Sequence, residues 1–206
     1  MIGTSRVVSG LGASLLLFAC SGSSGDPGSS DGGADGGTGD TVATVDAGAC
    51  GRTEPVASCW TDPTTKLTWE NPATPAACNW QGAVDDCSAL SACGHDDWRL
   101  PNIDELRTLM RGCAGTVTGG ACPIHVGSPA SDFTSACYCT KLGGPSAGGC
   151  FWDPVFGEQC GYFAYLYWSF SETAVAGKNA WAASYFDGRL LQPWKTDKQR
   201  LRCVRP

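Results

Sequence analysis

The stretch DWRLPNIDEL at residues 97–106 holds the most specific local signals in the chain. Pro101 cannot continue a strand ladder, and its fixed φ favours a turn that leads into a helix. Asn102, followed three residues later by Glu105, forms a capping-box pattern. The stretch therefore predicts a helix that begins after Asn102 and ends at Gly112. Its apolar stripe would consist of Ile103, Leu106, Leu109 and Met110.

Trp98 and Arg99 precede this turn, and we assign them structural roles. Trp98 offers a large apolar ring for the core. Arg99 can form an ion pair with Glu105 or with Asp97, which would fix the helix against the preceding loop. We expect this role for Arg99 rather than contact with a ligand.

A second helix and several strands flank this stretch. Asn79 can cap a helix that runs to about Ser91. Its apolar face would consist of Ala83, Val84, Cys87 and Leu90. Asp187-Gly188 between two apolar runs signals a two-residue hairpin turn, and further segments predict strands at 66–70, 165–170, 180–186, 189–194 and 199–204. Two helices, small antiparallel sheets and long disulfide-rich loops place the fold in the α+β class.

The composition limits the possible functions. Of the 206 residues, 20 are Asp or Glu and 14 are Lys or Arg, so the formal net charge is −6. This balance argues against a nucleic-acid partner, which needs clustered basic residues. The 13 cysteines indicate an oxidising compartment, where disulfides persist.

The first 19 residues fit a signal peptide, since one arginine precedes an apolar run too short to span a membrane comfortably. The run ends in Leu17-Phe18-Ala19-Cys20, which resembles a bacterial lipobox with Cys20 as the acylated residue. Without Cys20 an even number of cysteines remains, as a disulfide framework requires. Acyl chains on Cys20 would hold the protein on a membrane, and by resemblance to bacterial sorting rules Ser21 favours the outer membrane. The alternative is an ordinary secretory signal with a coincidental cysteine.

Residues 20–49 predict a flexible tether. Gly, Ser and Asp dominate this segment, which has no aromatic residue and carries its aspartates without any basic residue. Such a chain cannot bury enough apolar surface to offset the entropy of ordering. The folded domain is therefore expected at 50–206, which is long enough for one core. The Asp-Gly-Gly repeats lack the ligand spacing of an EF-hand loop, so we assign no calcium there.

Further motifs occur in order along the chain. They are Trp60-Thr61-Asp62, Leu67-Thr68-Trp69, Trp80, Tyr167-Trp168-Ser169, Ser171-Glu172, Ala180-Trp181, Asp187-Gly188 and the ending Arg202-Cys203-Val204-Arg205. Together with residues 97–106 they resemble the Lcl C-terminal domain family, a family of unknown function found in bacterial surface proteins and lipoproteins. The resemblance covers roughly residues 59–206, and it implies that Trp168 lies in the core.

The resemblance implies a C-type-lectin-like fold, related to that of formylglycine-generating enzymes. In such domains the first helix is bridged to the last strand, which implies a disulfide between Cys87 and Cys203. By the chain-entropy model, a loop of this length would stabilise the domain by about 4–5 kcal/mol. The family's namesake is an adhesin domain implicated in binding polysaccharide, so a recognition role is implied by analogy.

The pairing of the other cysteines stays open, because twelve cysteines allow about ten thousand pairings. Pairs formed between near neighbours would be Cys50–Cys59, Cys78–Cys93 and Cys113–Cys122. The remaining cysteines, Cys137, Cys139, Cys150 and Cys160, would form two more bonds, for six in all. Cys137 and Cys139 are too close in sequence to pair with each other.

We expect neither a metal nor a catalytic centre, and no cofactor. A zinc site is the alternative use of Cys113, Cys122, His125, Cys137 and Cys139, but the paired CxxC spacing of zinc sites is missing. The turn His95-Asp96-Asp97 could supply a general base, although adjacent turn residues usually face solvent. Cys203 alone does not match the cysteine pair that binds copper in formylglycine-generating enzymes, so oxidase activity is not expected.

Aromatic residues crowd the segment 151–168 and suggest a ligand site. Aromatic faces beside carboxylates suit sugar stacking and hydrogen bonding, and the candidates are Phe151, Trp152, Asp153 and Tyr162. The alternative is that most of these rings fill the core. The sequence thus predicts a non-catalytic domain that recognises a glycan or a protein at the cell envelope. There are two rival predictions. One is an envelope structural component without a small ligand, and the other is an enzyme related to formylglycine-generating enzymes.

Overall fold

The computed structural model describes residues 50–53, 55–141, 143–146, 148–157, 160, 165–174 and 177–206. The predicted signal peptide, Cys20, the predicted tether and Tyr162 lie outside the described residues. Within the described ranges, no helix combines the length and the apolar character needed to cross a membrane.

The described chain forms two helices and two small sheets, which confirms the predicted disulfide-rich α+β class. The helices are α1 (Trp80–Ser88) and α2 (Ile103–Thr108). The strands are β1 (Ser58–Thr61), β2 (Thr68–Asn71), β3 (Ala77–Cys78), β4 (Tyr167–Glu172), β5 (Ala180–Ala183), β6 (Leu190–Leu191), β7 (Gln199–Arg200) and β8 (Val204–Arg205). One sheet has the order β1-β2-β8, and the other has the order β3-β7-β4-β5-β6, with β4 and β7 parallel.

Helix α2 begins as the sequence predicts. Asn102 Oδ1 accepts a hydrogen bond from Glu105 N at 2.8 Å, and Glu105 Oε2 accepts one from Asn102 N at 2.8 Å. This is the predicted capping box. The helix ends at Thr108, earlier than predicted, because Arg111 N donates to Phe151 O at 2.8 Å instead of continuing the helical ladder.

Helix α1 begins after Asn79, whose Oδ1 accepts from Gly82 N at 2.8 Å, as predicted. It ends at Ser88 instead of Ser91. Leu90 N donates back only three residues, to Cys87 O, so the chain leaves the helix in a tight turn. That turn leads to Cys93, which has a positive φ of 53°.

Two predictions near the C-terminus are wrong: the length of the hairpin loop and the continuity of the strand 199–204. The predicted hairpin forms, but β5 and β6 pair Ala183 with Leu190, so the loop is longer than the two residues Asp187-Gly188. The reason is Tyr185, which is buried and donates its hydroxyl to Leu106 O at 2.8 Å. The predicted strand 199–204 is split into β7 and β8, which lie in different sheets.

The β4–β5 pair separates two clusters of buried side chains. Alternate residues of a strand point to opposite faces, so Tyr167 joins the cluster that contains α2 and Trp168 joins the cluster that contains α1. Trp168 has no exposed surface and Trp98 is 3% exposed. Both are therefore core residues, as predicted.

Five disulfides join cysteines in the described part of the chain. They are Cys50–Cys78, Cys59–Cys93, Cys87–Cys203, Cys122–Cys137 and Cys150–Cys160. The bond that the family resemblance implied, Cys87–Cys203, is present. Cys113 and Cys139 carry free thiols.

The three pairings between near neighbours, Cys50–Cys59, Cys78–Cys93 and Cys113–Cys122, are wrong. Each of these pairs is close in sequence but is divided by the fold. Cys59 lies in β1 and bonds to the turn after α1, while Cys50 bonds to β3. Cys122 bonds forward to Cys137 in the same loop.

Candidate functional site

The Arg99 side chain connects the turn before α2 to the helix by an ion pair. Its guanidinium makes two hydrogen bonds to the Glu105 carboxylate, at 2.6 and 2.7 Å, and this contact raises the pKa of Arg99 above its ordinary value. Asp97 pairs with Arg205 instead, at 2.5 and 3.0 Å. The structural role that the sequence predicts for Arg99 is therefore confirmed, with Glu105 as its partner.

Backbone hydrogen bonds fix the same turn against β8 and β4. Arg99 and Val204 exchange two of them, each at 2.9 Å. Phe170 N donates to Pro101 O at 2.7 Å, and Ile103 N donates to Ser171 Oγ at 3.0 Å. The position of Phe170 relative to the turn is thus set by the backbone.

A groove of about 350 Å³ lies between α1 and this turn. Its lining residues are Val84, Ser88, Arg99, Leu100, Asn102 and Phe170, and we call it the Phe170 groove. Leu100 is buried and forms part of the core, whereas Ser88 and Arg99 are exposed. The groove therefore has an apolar wall with polar side chains at its rim.

Phe170 is an aromatic ring held at the surface on a rigid base. It is 55% exposed and stacks on Trp80, with ring centroids 5.9 Å apart and an interplanar angle of 27°. Trp80 is buried and donates its indole N–H to Ser169 O at 2.8 Å. The Phe170 ring is therefore supported on one face by Trp80 and keeps more than half of its surface available.

Charged groups surround this aromatic pair. Lys195 Nζ lies 3.9 Å from the centroid of the Trp80 ring and 2.7 Å from Glu172 Oε2. Trp194, which directly precedes Lys195, is 56% exposed. Phe170 and Trp194 are the most exposed aromatic side chains among the described residues.

The chemistry of the Phe170 groove suits binding. Its lining consists of apolar side chains and of the hydroxyl, guanidinium and amide groups of Ser88, Arg99 and Asn102. Asn102 uses its Oδ1 for the helix cap, which leaves its amide N–H groups available to donate to a ligand. An exposed ring beside amide, hydroxyl and guanidinium groups can stack on one part of a ligand and hydrogen-bond another.

The predicted aromatic site at 151–153 is not accessible. Phe151 has no exposed surface and Trp152 is 1% exposed. Trp152 packs against Tyr185 with ring centroids 5.3 Å apart and donates its indole N–H to Gly157 O at 3.0 Å. Asp153 caps a short 3-10 turn by accepting from Val155 N at 3.1 Å. Phe151 and Trp152 are thus core residues, and the prediction that they contact a ligand is wrong.

Sequence reasoning missed Phe170 as a surface residue because simple alternation places it on the buried face with Trp168. The β4–β5 register shifts between Trp168 and Glu172. Alternation nevertheless holds along the strand, because Ser169 and Ser171 share the face of Tyr167. Phe170 lies on the face of Trp168, where it stacks on Trp80 but is left 55% exposed. No local signal separates Phe170 from Trp168, because what differs is how far other elements cover their common face.

The other candidate centres do not assemble. His95 is exposed in its turn, and the Asp97 carboxylate is paired with Arg205, whose hydrogen bond lowers the pKa of Asp97. Cys122 and Cys137 are bonded to each other and cannot act as thiolate ligands. In the part of the chain that the structure describes, no cluster of three or more His, Cys, Asp or Glu side chains is arranged to hold a metal.

Replacing Glu105 with alanine is expected to lower the free energy of unfolding by about 1–2 kcal/mol, because it removes half of the capping box and the partner of Arg99. Urea denaturation followed by tryptophan fluorescence measures this loss. Glu172→Ala is the matched control, since Glu172 forms a half-exposed ion pair with Lys195 that should contribute less than about 1 kcal/mol. Equal losses for the two variants would contradict the capping role.

Comparison with known proteins gives one family. The family model of the Lcl C-terminal domain matches residues 58–205, which is well over half of the chain. A search of curated proteins finds no match.

Proposed function

This chain belongs to the Lcl C-terminal domain family, and from that premise we propose that its folded domain recognises a polysaccharide at the cell envelope without catalysis. The proposed site is the Phe170 groove. We further propose that the α+β domain has a C-type-lectin-like arrangement, in which the Cys87–Cys203 bond ties the first helix to the end of the chain.

One observation carries the proposal. Phe170 exposes 55% of its surface although it lies in a central strand, between two buried serines. An exposed aromatic ring leaves apolar surface in contact with water, which is unfavourable in free energy. Binding of a ligand that covers the ring would remove this surface from water. The exposed rim residues Ser88 and Arg99, together with the Asn102 amide, favour a hydroxyl-rich ligand over a purely apolar one.

The anchor is the second part of the proposal. The lipobox-like run that ends at Cys20 supports acylation of that cysteine and attachment to a membrane, with the outer membrane favoured by Ser21. The Gly-, Ser- and Asp-rich segment that follows would then hold the recognition domain away from the lipid surface. Metabolic labelling with a radioactive fatty acid tests this part, and a Cys20→Ser variant should lose the label.

Phe170→Ala is expected to weaken polysaccharide binding at least about tenfold, since the stacking surface is lost while the backbone of β4 is unchanged. The test uses the oxidised chain from Ser21 onward on an array of neutral, acidic and sulfated polysaccharides, with and without EDTA. Val155→Ala, which shortens another exposed apolar side chain, 41% exposed, is the matched control and should bind normally.

The outcomes of the array separate the proposals. Saturable binding to one polysaccharide class that Phe170→Ala abolishes supports recognition at the groove. Equal binding by Phe170→Ala and the unmodified chain would overturn the groove as the site. Loss of binding in EDTA would reveal a metal requirement.

An envelope structural role without a small ligand is the second candidate. The burial of Phe151 and Trp152 favours it, because the aromatic loops serve the core rather than a binding surface. Binding to none of the polysaccharides on the array would support this candidate.

A further inference from the structure

Cys113 and Cys139 lie near each other, Cys113 just after α2 and Cys139 in the loop that follows. Cys113 is 1% exposed and Cys139 is partly exposed. Both are free thiols, whereas the other ten cysteines of the described residues are paired. We propose that Cys113 and Cys139 form a sixth disulfide bond in the mature protein.

The packing around Gly188 brings the two side chains together. A Cβ atom placed on Gly188 would lie 3.0 Å from Cys139 Cβ and 3.2 Å from Cys113 Cβ. Both real Cβ atoms therefore lie against the same small residue and are near neighbours, and a larger residue at position 188 would push against them. The Cys113 side chain is also near enough to Cys139 to raise the pKa of its thiol.

Gly188 is suited to this place for two reasons. Its φ of +69° is a conformation that glycine adopts at no steric cost. Its carbonyl accepts hydrogen bonds from Thr116 Oγ1 at 2.7 Å and from Cys113 Sγ at 3.5 Å. The β5–β6 loop is therefore held against the cysteine pair, and the pair is held in one orientation.

The new bond would enclose an existing one. Cys122–Cys137 closes a loop with a sequence separation of 15, and Cys113 and Cys139 flank that loop on either side. Formation of the outer bond would join the chain after α2 to the end of the loop. The two nested bonds would then fix both ends of the segment 113–139.

A cavity of about 220 Å³ gives access to the pair. Its walls include both cysteines and small residues such as Gly115 and Ala136, with Lys141 at one side. Cys139 is the more exposed of the two thiols, so it is the one that an oxidant meets first. The oxidant is a disulfide, either of low molecular weight or on an oxidoreductase.

The exchange proceeds in two balanced steps. The Cys139 thiolate, after losing its proton to water, attacks one sulfur of the oxidant and forms a mixed disulfide, and the other sulfur leaves as a thiolate. Cys113 then loses its proton and attacks Cys139 Sγ, which releases the second half of the oxidant as a thiolate. The protein loses two electrons and two protons, and the oxidant is reduced to two thiols.

The surroundings of Cys139 set the pH dependence of this reaction. Burial raises the pKa of Cys139, and the hydrogen bond with Cys113 raises it further. Because thiolate is the attacking species, its fraction is small at neutral pH. The rate of closure by glutathione disulfide should therefore rise about tenfold per unit between pH 7 and 8, and a rate that does not change with pH would contradict attack by Cys139.

Peptide mapping tests the bond directly in the full chain, purified from an oxidising compartment and alkylated in denaturant without reduction. Trypsin leaves Cys113, Cys122, Cys137 and Cys139 in one fragment, 112–141. Chymotrypsin, which cuts after Tyr138, separates the last two of these cysteines, and thermolysin, which cuts before Val117, separates the first two. The expected product joins residues 112–116 to residues 139–141, and alkylation of both thiols, or pairing of either with another cysteine, overturns the proposal.

Thermal melting gives a second readout. Cys113→Ser combined with Cys139→Ser should lower the melting temperature of the oxidised chain by about 5–10 °C, and Cys139→Ser alone should lower it by nearly as much. After reduction of the unmodified chain and the double variant, the difference between them should largely vanish. Equal melting temperatures for the oxidised unmodified chain and the double variant would overturn the proposal.

Discussion

Replacing both Cys87 and Cys203 with alanine is expected to lower the free energy of unfolding by about 4–5 kcal/mol. The bond joins residues with a sequence separation of 116, and the entropy that a crosslink removes from the unfolded chain grows with the length of the closed loop. Both side chains are fully buried among the residues of one core cluster, so their loss also removes packing. Guanidinium denaturation of the oxidised protein measures the change.

Cys150→Ala combined with Cys160→Ala is the matched control for this prediction. That bond has a sequence separation of only 10, and the same model gives a loss of about 3 kcal/mol. A smaller loss for the long loop than for the short one would contradict the chain-entropy explanation.

Replacing Arg52 with methionine is expected to cost about 3–5 kcal/mol, because it leaves two carboxylates buried without their cation. Arg52 Nη1 lies 2.5 Å from Glu70 Oε1, and Arg52 Nη2 lies 2.7 Å from Asp86 Oδ2. The side chains of Glu70 and Asp86 are each only 1% exposed. Burial lowers the pKa of Arg52, but its hydrogen bonds to Glu70 and Asp86 outweigh this effect and leave the pKa raised.

A second substitution tests whether the lost charge is the cause. Glu70 Oε2 also accepts a hydrogen bond from Cys203 N at 3.0 Å, and an amide oxygen can keep that contact. Glu70→Gln in the Arg52→Met background should therefore recover part of the loss. Arg205→Met, which removes the ion pair with the half-exposed Asp97, is the control and should cost much less. No recovery by Glu70→Gln would contradict the charge explanation.

Features that depend on neighbouring residues could be predicted from the sequence. The capping box of α2 and the cap of α1 follow from residues three apart, so Asn79, Asn102 and Glu105 take their predicted places. Arg99 and Glu105 likewise meet across one turn. The Cys87–Cys203 bond was implied by family resemblance, because no local signal joins residues so far apart.

Features that depend on distant contacts could not be predicted in this way. The end of the chain alternates like one strand, yet β7 and β8 belong to different sheets. Arg202 and Cys203 between them in sequence are both buried, and Arg202 Nη1 donates to Glu70 O at 2.6 Å. The pairing of Cys59 with Cys93 depends on the position of β1 beside the turn after α1. Such contacts leave no pattern within a short window of sequence.

The candidate site illustrates the same limit. The aromatic cluster at 151–153 has the composition of a sugar-binding loop, but Tyr167 and Tyr185 cover Trp152 from other parts of the chain. Phe170 lies on the same face of β4 as the buried Trp168, and its own sequence does not show that other elements leave it 55% exposed there. Arg99 and Asn102 serve the helix and also line the groove, so motif residues with a structural role can still border a binding site.

The most direct test of polysaccharide recognition at the Phe170 groove is a nuclear magnetic resonance titration of the oxidised chain from Ser21 onward, with the polysaccharide that gives the strongest array signal. We predict saturable shifts of the Phe170 ring, the Val84 methyl groups and the Asn102 side-chain amide, with the Val155 methyl groups unchanged. Shifts centred on Val155 or Tyr165 with an unchanged groove, or no shift at any residue, would contradict this account.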